Sequence, residues 1–268
     1  MNTLLMEYGK SQISRRKQLK RRWYIINIFL NIDYVRDIFN AMLAKDVNNT
    51  VRNNPKESLS VIIKAMQMKT DFLNSSEINT EEDVKKLFDV IFYAKRHYNE
   101  IIGNNGIDKI KLAFKTLRNK DLPYGERVKA FTSLKASEPE DIEDMAREII
   151  HFLEPEKYPL WTRWLWNPNK NSGSITYILK DGVVLKNEKD YFDAVSELRD
   201  VLSIFGLDSP NYYYASIFLV YSYVRYVDYA TLLAVDRKGG GLYPSHLSTT
   251  AMVLGLKSFL RVIQLANS

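Results

Sequence analysis

Apolar residues recur three and four positions apart along most of this chain, and that spacing commits it to helices. Leu59, Ile62, Ile63 and Met66 share one face of a helix opened by Pro55, whose fixed φ suits a first turn. Thr80 followed by Glu81, Glu82 and Asp83 is an N-cap with acids at the positive end of the helix dipole. The helix it starts passes through Leu87, Phe88, Ile91 and Phe92 to a stop at Gly103-Asn104-Asn105-Gly106. Residues 23–45, Ile107–Leu117 and Tyr124–Leu134 carry the same pattern, and Ser137-Glu138-Pro139-Glu140 predicts a capping box for a helix reaching Leu153. Three more helices are expected at 188–205, 211–236 and 245–266, with Gly206 closing the first and Gly239-Gly240-Gly241 joining the last two.

One segment breaks the helical pattern. Ser174–Leu179 and Val183–Leu185 flank Lys180-Asp181-Gly182, and Asp-Gly is a strong hairpin signal. The expected fold is therefore mainly α, a multi-helix body with one small β-hairpin inserted near residues 174–186. Three regions follow: a basic N-terminal arm at 1–22, a helical region at 23–166, and hairpin plus C-terminal helices at 167–268. The last two form either one domain or two.

With 268 residues, 46% hydrophobic and 26% charged, the chain can bury a core without staples. It has no cysteine, which excludes thiol catalysis, cysteine-based zinc sites and iron–sulfur clusters. His97, His151 and His246 are the three histidines available for imidazole chemistry.

Charge is unevenly placed. Residues 1–22 hold seven basic side chains against Glu7 alone, which equals the net charge of +6, so the remainder balances at 31 basic and 31 acidic groups. Arg15, Arg16, Lys17, Lys20, Arg21 and Arg22 form a block of the kind that contacts phosphate. Further on, residues 106–135 carry eight basic and three acidic groups, and residues 136–156 carry one basic and eight acidic. The two segments are expected to pair. Otherwise Lys109, Lys115, Arg118, Arg127 and Lys129 would extend the basic surface.

The stretch Trp23–Leu30 is too short and too interrupted by Asn27 for a signal sequence, and a cytoplasmic protein is expected. Ala215–Val235 is apolar, but Arg225 and Asp228 sit in its middle, three apart. A buried core helix with an internal Arg–Asp pair explains it better than a membrane span.

Three constellations could carry chemistry. Trp161, Arg163, Trp164 and Trp166 crowd into six residues, either as an aromatic–arginine platform or as anchors to the core with Arg163 neutralising a carboxylate. Glu148-Ile149-Ile150-His151 has the spacing of a di-iron ligand pair but lacks the second copy such sites need, so no metal is expected. Lys238–His246 is a glycine-rich loop before a helix without the Gly-Lys-Ser/Thr of a phosphate loop. No cofactor fingerprint is present and no catalytic residue can be named.

His151-Phe152-Leu153-Glu154-Pro155-Glu156-Lys157-Tyr158-Pro159-Leu160-Trp161 resembles a segment of helical DNA-glycosylase-like proteins, where His-Phe-Leu is followed by a proline and an aromatic-Pro-x-Trp turn. The likeness covers eleven residues. The family continues with an aspartate where this chain has Thr162, and the phosphate-binding Gly-x-Gly hairpin is missing. The resemblance implies no catalytic residue.

The leading expectation is a non-enzymatic binding or regulatory protein that engages nucleic acid through its arm. One alternative is a helical scaffold or oligomer subunit meeting a protein partner through Tyr213, Tyr214, Phe218 and Tyr221. The other is an enzyme with a small-molecule pocket lined by Trp161, Arg163, Trp164, Arg225, Asp228 and His246.

Overall fold

The computed structural model describes residues 28–44, 55–91, 94–234 and 246–266. Its helices in chain order are α1 (Ile32–Leu43), α2 (Pro55–Ser75), α3 (Glu81–Asp89), α4 (Ala94–Arg118), α5 (Tyr124–Thr132), α6 (Pro139–Leu153), α7 (Glu188–Ile204), α8 (Tyr213–Ala234), α9 (His246–Val253) and α10 (Lys257–Ala266). A short 3-10 helix spans Ser174–Ile178.

Among the described residues there is no strand, so the expected hairpin does not form. The Asp181-Gly182 turn itself is present, with Gly182 at φ +77 and Val183 N donating to Lys180 O at 3.0 Å. The arms fail to pair because their backbone groups are engaged elsewhere. Ser174 N and Ile175 N donate to Trp164 O and Leu165 O, both at 3.1 Å. Beyond them, Asn31 N donates to Ile178 O at 2.8 Å and Lys180 N to Phe29 O at 2.9 Å, so Leu179 bridges Leu30. Winding into a 3-10 turn places Ile175 and Ile178 on one side, and both are fully buried.

Other boundaries move for local reasons. Thr80 caps α3 in a true capping box, with Asp83 bonding back to the Thr80 backbone. At α6 the Ser137 backbone N–H and hydroxyl go to Glu100, and Glu138 occupies the cap position without a side-chain bond. Pro139 still opens the helix. The Gly103–Gly106 stretch kinks α4 at Gly106 (φ +71) and does not end it. Asn105 steadies the kink by donating to Ile101 O and Lys135 O and accepting from Lys135 N. The last expected helix breaks at Gly255, whose φ of +69 and close approach to Val90 O leave no room for a Cβ.

Helix α2 lies between the two halves of the sequence. It packs on α6 from one side of residue 167 and on α8, α9 and α10 from the other. Buried residues from both halves, among them Leu59, Ile149, Tyr191 and Phe218, belong to one apolar cluster. No helix of the described residues is long and apolar enough to cross a membrane.

Candidate functional site

Helix α6 gathers the charges of the interior. Asp141, Asp144 and Glu148 recur at helical spacing, and all three are buried. Each has found a cation. Arg163 donates from Nε to Asp144 Oδ2 at 2.9 Å and also bonds Asp141 and Glu140. Burial works against the Arg163 charge, but these three acids outweigh it and hold the guanidinium firmly protonated. Asp144 is pushed up to about 6 by burial, against the pull of Arg163. Burial also raises Asp141, yet bonds from Arg96 and His97 hold it below the usual range.

Deeper in, Lys69 Nζ donates to Glu148 Oε1 at 2.7 Å and to Leu254 O at 2.8 Å, and lies 4.0 Å from the centre of the Phe152 ring. Burial lowers the Lys69 ammonium and Glu148 opposes that fall. One turn on, His151 Nδ1 is 2.9 Å from Tyr158 O and Nε2 is 3.2 Å from Ser216 Oγ. With Nδ1–H donating to the carbonyl, Nε2 can only accept, and the single Ser216 hydroxyl proton is shared between Nε2 and Tyr212 O, 2.9 Å away. The order His–Ser resembles that of a serine nucleophile and its base. Here both residues are sealed in the core beside Phe152 and Tyr213, out of a substrate's reach. Burial takes His151 down to about 4 and keeps it neutral. Glu148 and His151 thus face different partners and do not form a ligand pair.

His97, Glu138 and Asp141 bring three ligand atoms within 4.8 Å of one another. Arg96 lies across them, with its Nε 3.0 Å from His97 Nε2 and its other nitrogen on Asp141. Guanidinium groups from Arg96 and Arg163 already balance this cluster, which argues against a cation there.

The adjoining face of α6 borders a cleft of about 360 Å³. Its walls are Tyr124, Gly125, Val128, Lys129 and Thr132 of α5, Pro139, Glu140, Glu143 and Arg147 of α6, and Glu188 at the start of α7. Arg147 is held by Glu143 at 2.5 Å and sits over the Trp161 ring, 3.7 Å from its centre. The Tyr124 ring packs against Tyr158 and Phe192, at 4.9 and 5.5 Å. Its hydroxyl is buried without a hydrogen-bond partner, as is Arg147 Nε. Burial drives the Tyr124 hydroxyl far above its ordinary range. Partial burial of Glu188 holds its carboxyl up, with Arg147 pulling it down and Glu143 adding to the rise.

The residues singled out in the sequence fall in different places. Trp161 is buried, with Nε1 donating to Trp166 O at 3.1 Å, and Trp166 stacks on Tyr191. Trp164 is half-buried against Tyr223. These tryptophans anchor their segment to the core, and Arg163 neutralises carboxylates. Gly173 closes the segment, since a Cβ there would lie 2.5 Å from Leu165 O. Arg225 is exposed on α8, so the expected buried Arg–Asp pair is absent on the arginine side, and the Asp228 side chain lies outside the described residues. His246 is half-buried at the start of α9, edge-on to Tyr221. Tyr221 and Tyr223 stand two apart on α8 and do not share a face, so Trp164 and His246 pack against different sides of that helix. Arg15 to Arg22 and the Gly239–Gly241 loop lie outside the described residues.

Of the basic residues in 106–135, Lys111, Lys115, Lys120, Lys129 and Lys135 are exposed, Lys109 and Arg118 are half-buried, and Arg127 is buried. Arg127 is fully buried against Glu154 and Leu117 O, Arg118 bonds the carbonyls of Asn74 and Ser76, and Lys109 donates to Ser133 O. Only Lys115 and Lys129 of the five remain as exposed residues.

Comparison with protein-family models, with characterised proteins and with solved structures returns no match for this chain. What fold and site define is an all-α protein with an ionic interior and a cleft beside it.

Sequence reasoning passed over Lys69, Tyr124, Arg147 and Glu188. Lys69 carried a signal, since it continues the apolar series Leu59, Ile62, Met66 at core spacing. Tyr124 and Glu188 carried none, because only the packing of α7 brings them together.

Proposed function

We propose that this is a non-enzymatic binding protein that engages nucleic acid through the basic segment 1–22, with the helical body as its carrier. The single observation behind this reading is the charge division: seven basic groups against one acid in that segment, and balance everywhere else. The body supports it by the use it makes of its own arginines. Arg96, Arg118, Arg127, Arg147 and Arg163 all serve internal carboxylates or carbonyls, which leaves the excess positive charge in the arm. Phosphate contacts by such a block supply affinity that falls with salt. Of the residues the scaffold alternative would present, Tyr213, Phe218 and Tyr221 are buried and Tyr214 is half-buried.

The test is fluorescence anisotropy with labelled single- and double-stranded nucleic acid at about 50 and 200 mM salt, a range over which six or more phosphate contacts change affinity by orders of magnitude. The native chain is compared with a variant in which Arg15, Arg16, Lys17, Lys20, Arg21 and Arg22 are glutamine. Binding that is steep in salt and lost in the variant is expected. Absence of binding at the lower salt, or binding indifferent to the variant, overturns the reading.

A further inference from the structure

We propose that the cleft between α5 and α6 binds a small organic cation carrying a primary ammonium group. Tyr124 lines the cleft and is 8% exposed, and its buried hydroxyl has no partner. A buried hydroxyl left unpaired weakens the fold unless something else satisfies it. The groups around it choose the ligand. Glu140, Glu143 and Glu188 set three carboxylates on the walls against Lys129 and Arg147. Arg147 is already engaged by Glu143 and by the Trp161 ring, and Glu140 by Arg163. Lys129 is exposed at the rim.

The Tyr124 hydroxyl, the Glu188 carboxylate and the Glu143 oxygen that Arg147 does not hold thus remain as acceptors. An ammonium brings three donors and a positive charge to them. It also relieves the mutual repulsion of Glu143 and Glu188, which contributes to the raised carboxyl of Glu188. Val128, Pro139 and the open face of Gly125 offer apolar surface for a short carbon chain. An anion would meet the Glu188 carboxylate, whereas Glu140 and Glu143 already hold Arg163 and Arg147.

Isothermal titration of the full chain with 1,4-diaminobutane, beside the neutral 1,4-butanediol, tests this. Gly125 lines the cleft and a Cβ there meets nothing within 4 Å, so Gly125→Leu adds bulk at the cleft wall without moving the backbone. Saturable binding of the diamine at one site, with no heat from the diol, is expected. Gly125→Leu, Tyr124→Phe and Glu188→Gln should each weaken it by about 10-fold or more, the range of one hydrogen bond to a charged group for the last two. Thermal melts confirm that each variant is folded. No saturable binding at about 10 mM diamine, a weak regime for any specific site, overturns the proposal. So does equal binding of the diol, or binding untouched by Gly125→Leu.

Discussion

Lys69 and Glu148 meet at 2.7 Å inside the core, with side-chain exposures of 0% and 4%. Each compensates the other's burial, and Leu254 O and the Phe152 ring complete the lysine's surroundings. A pair so placed is costly to break singly and easily replaced as a pair.

Lys69→Met should therefore destabilise the protein by about 3–5 kcal/mol, because it strands the Glu148 carboxylate. The double variant Lys69→Met/Glu148→Leu should recover most of that loss. Urea titrations of the three chains measure both values. A double variant as unstable as the single would mean that the pair itself contributes net stability.

Tyr124→Phe should raise stability in the absence of ligand. It removes a buried hydroxyl that has no partner, and a gain of about 1 kcal/mol matches the desolvation cost relieved. A fall in melting temperature would show that the hydroxyl is satisfied in solution.

His151 gives the fold a pH dependence of definite sign. Its folded value of about 4 lies below the ordinary 6.5, so between those values the unfolded chain binds a proton that the folded chain refuses. Stability is then lost as pH falls from 6.5 toward 4. Asp144, raised to about 6, acts oppositely between its ordinary value and 6, so the native curve holds both slopes. Comparing native protein with His151→Gln isolates the histidine. Relative to that variant, native protein should lose about 2 kcal/mol between pH 6.5 and 5. Parallel curves in denaturant melts would contradict this.

Gly173→Ala should cost about 2 kcal/mol or more, as strain at a special φ does. The residue sits at φ +124 with Leu165 O and Trp166 N against its open side. Loss of the tryptophan fluorescence signature together with stability would report that the Trp161–Trp166 segment has loosened. Gly182→Ala, at φ +77 with nothing within 4 Å, should cost less.

The start of α3 and helices α5, α6 and α7 were legible from apolar spacing within a few residues, whereas the expected helix from Thr80 to Gly103 divides into α3, ending at Asp89, and α4, beginning at Ala94. Thr80 and Asp83 announce their capping box in four letters. The hairpin was misread for the opposite reason. Its local signal is sound and the turn forms, but Leu179 finds its partner at Leu30, far back in the sequence. The same distance hides the cleft, where Tyr124, Arg147 and Glu188 come from three helices. Charge totals were readable, whereas the burial of Arg127 against Glu154 was not, since only packing turns a basic residue inward.

The Glu197 carboxylate accepts from the backbone N–H groups of Phe29 and Leu30, at 2.9 and 3.1 Å. Lys180 N donates to Phe29 O at 2.9 Å from the other side, so this segment is clasped between α7 and the turn after the 3-10 helix. A load arriving at Phe29 would therefore be divided between the Glu197 carboxylate and the Asp181-Gly182 turn, two parts of the sequence that otherwise have no reason to move together.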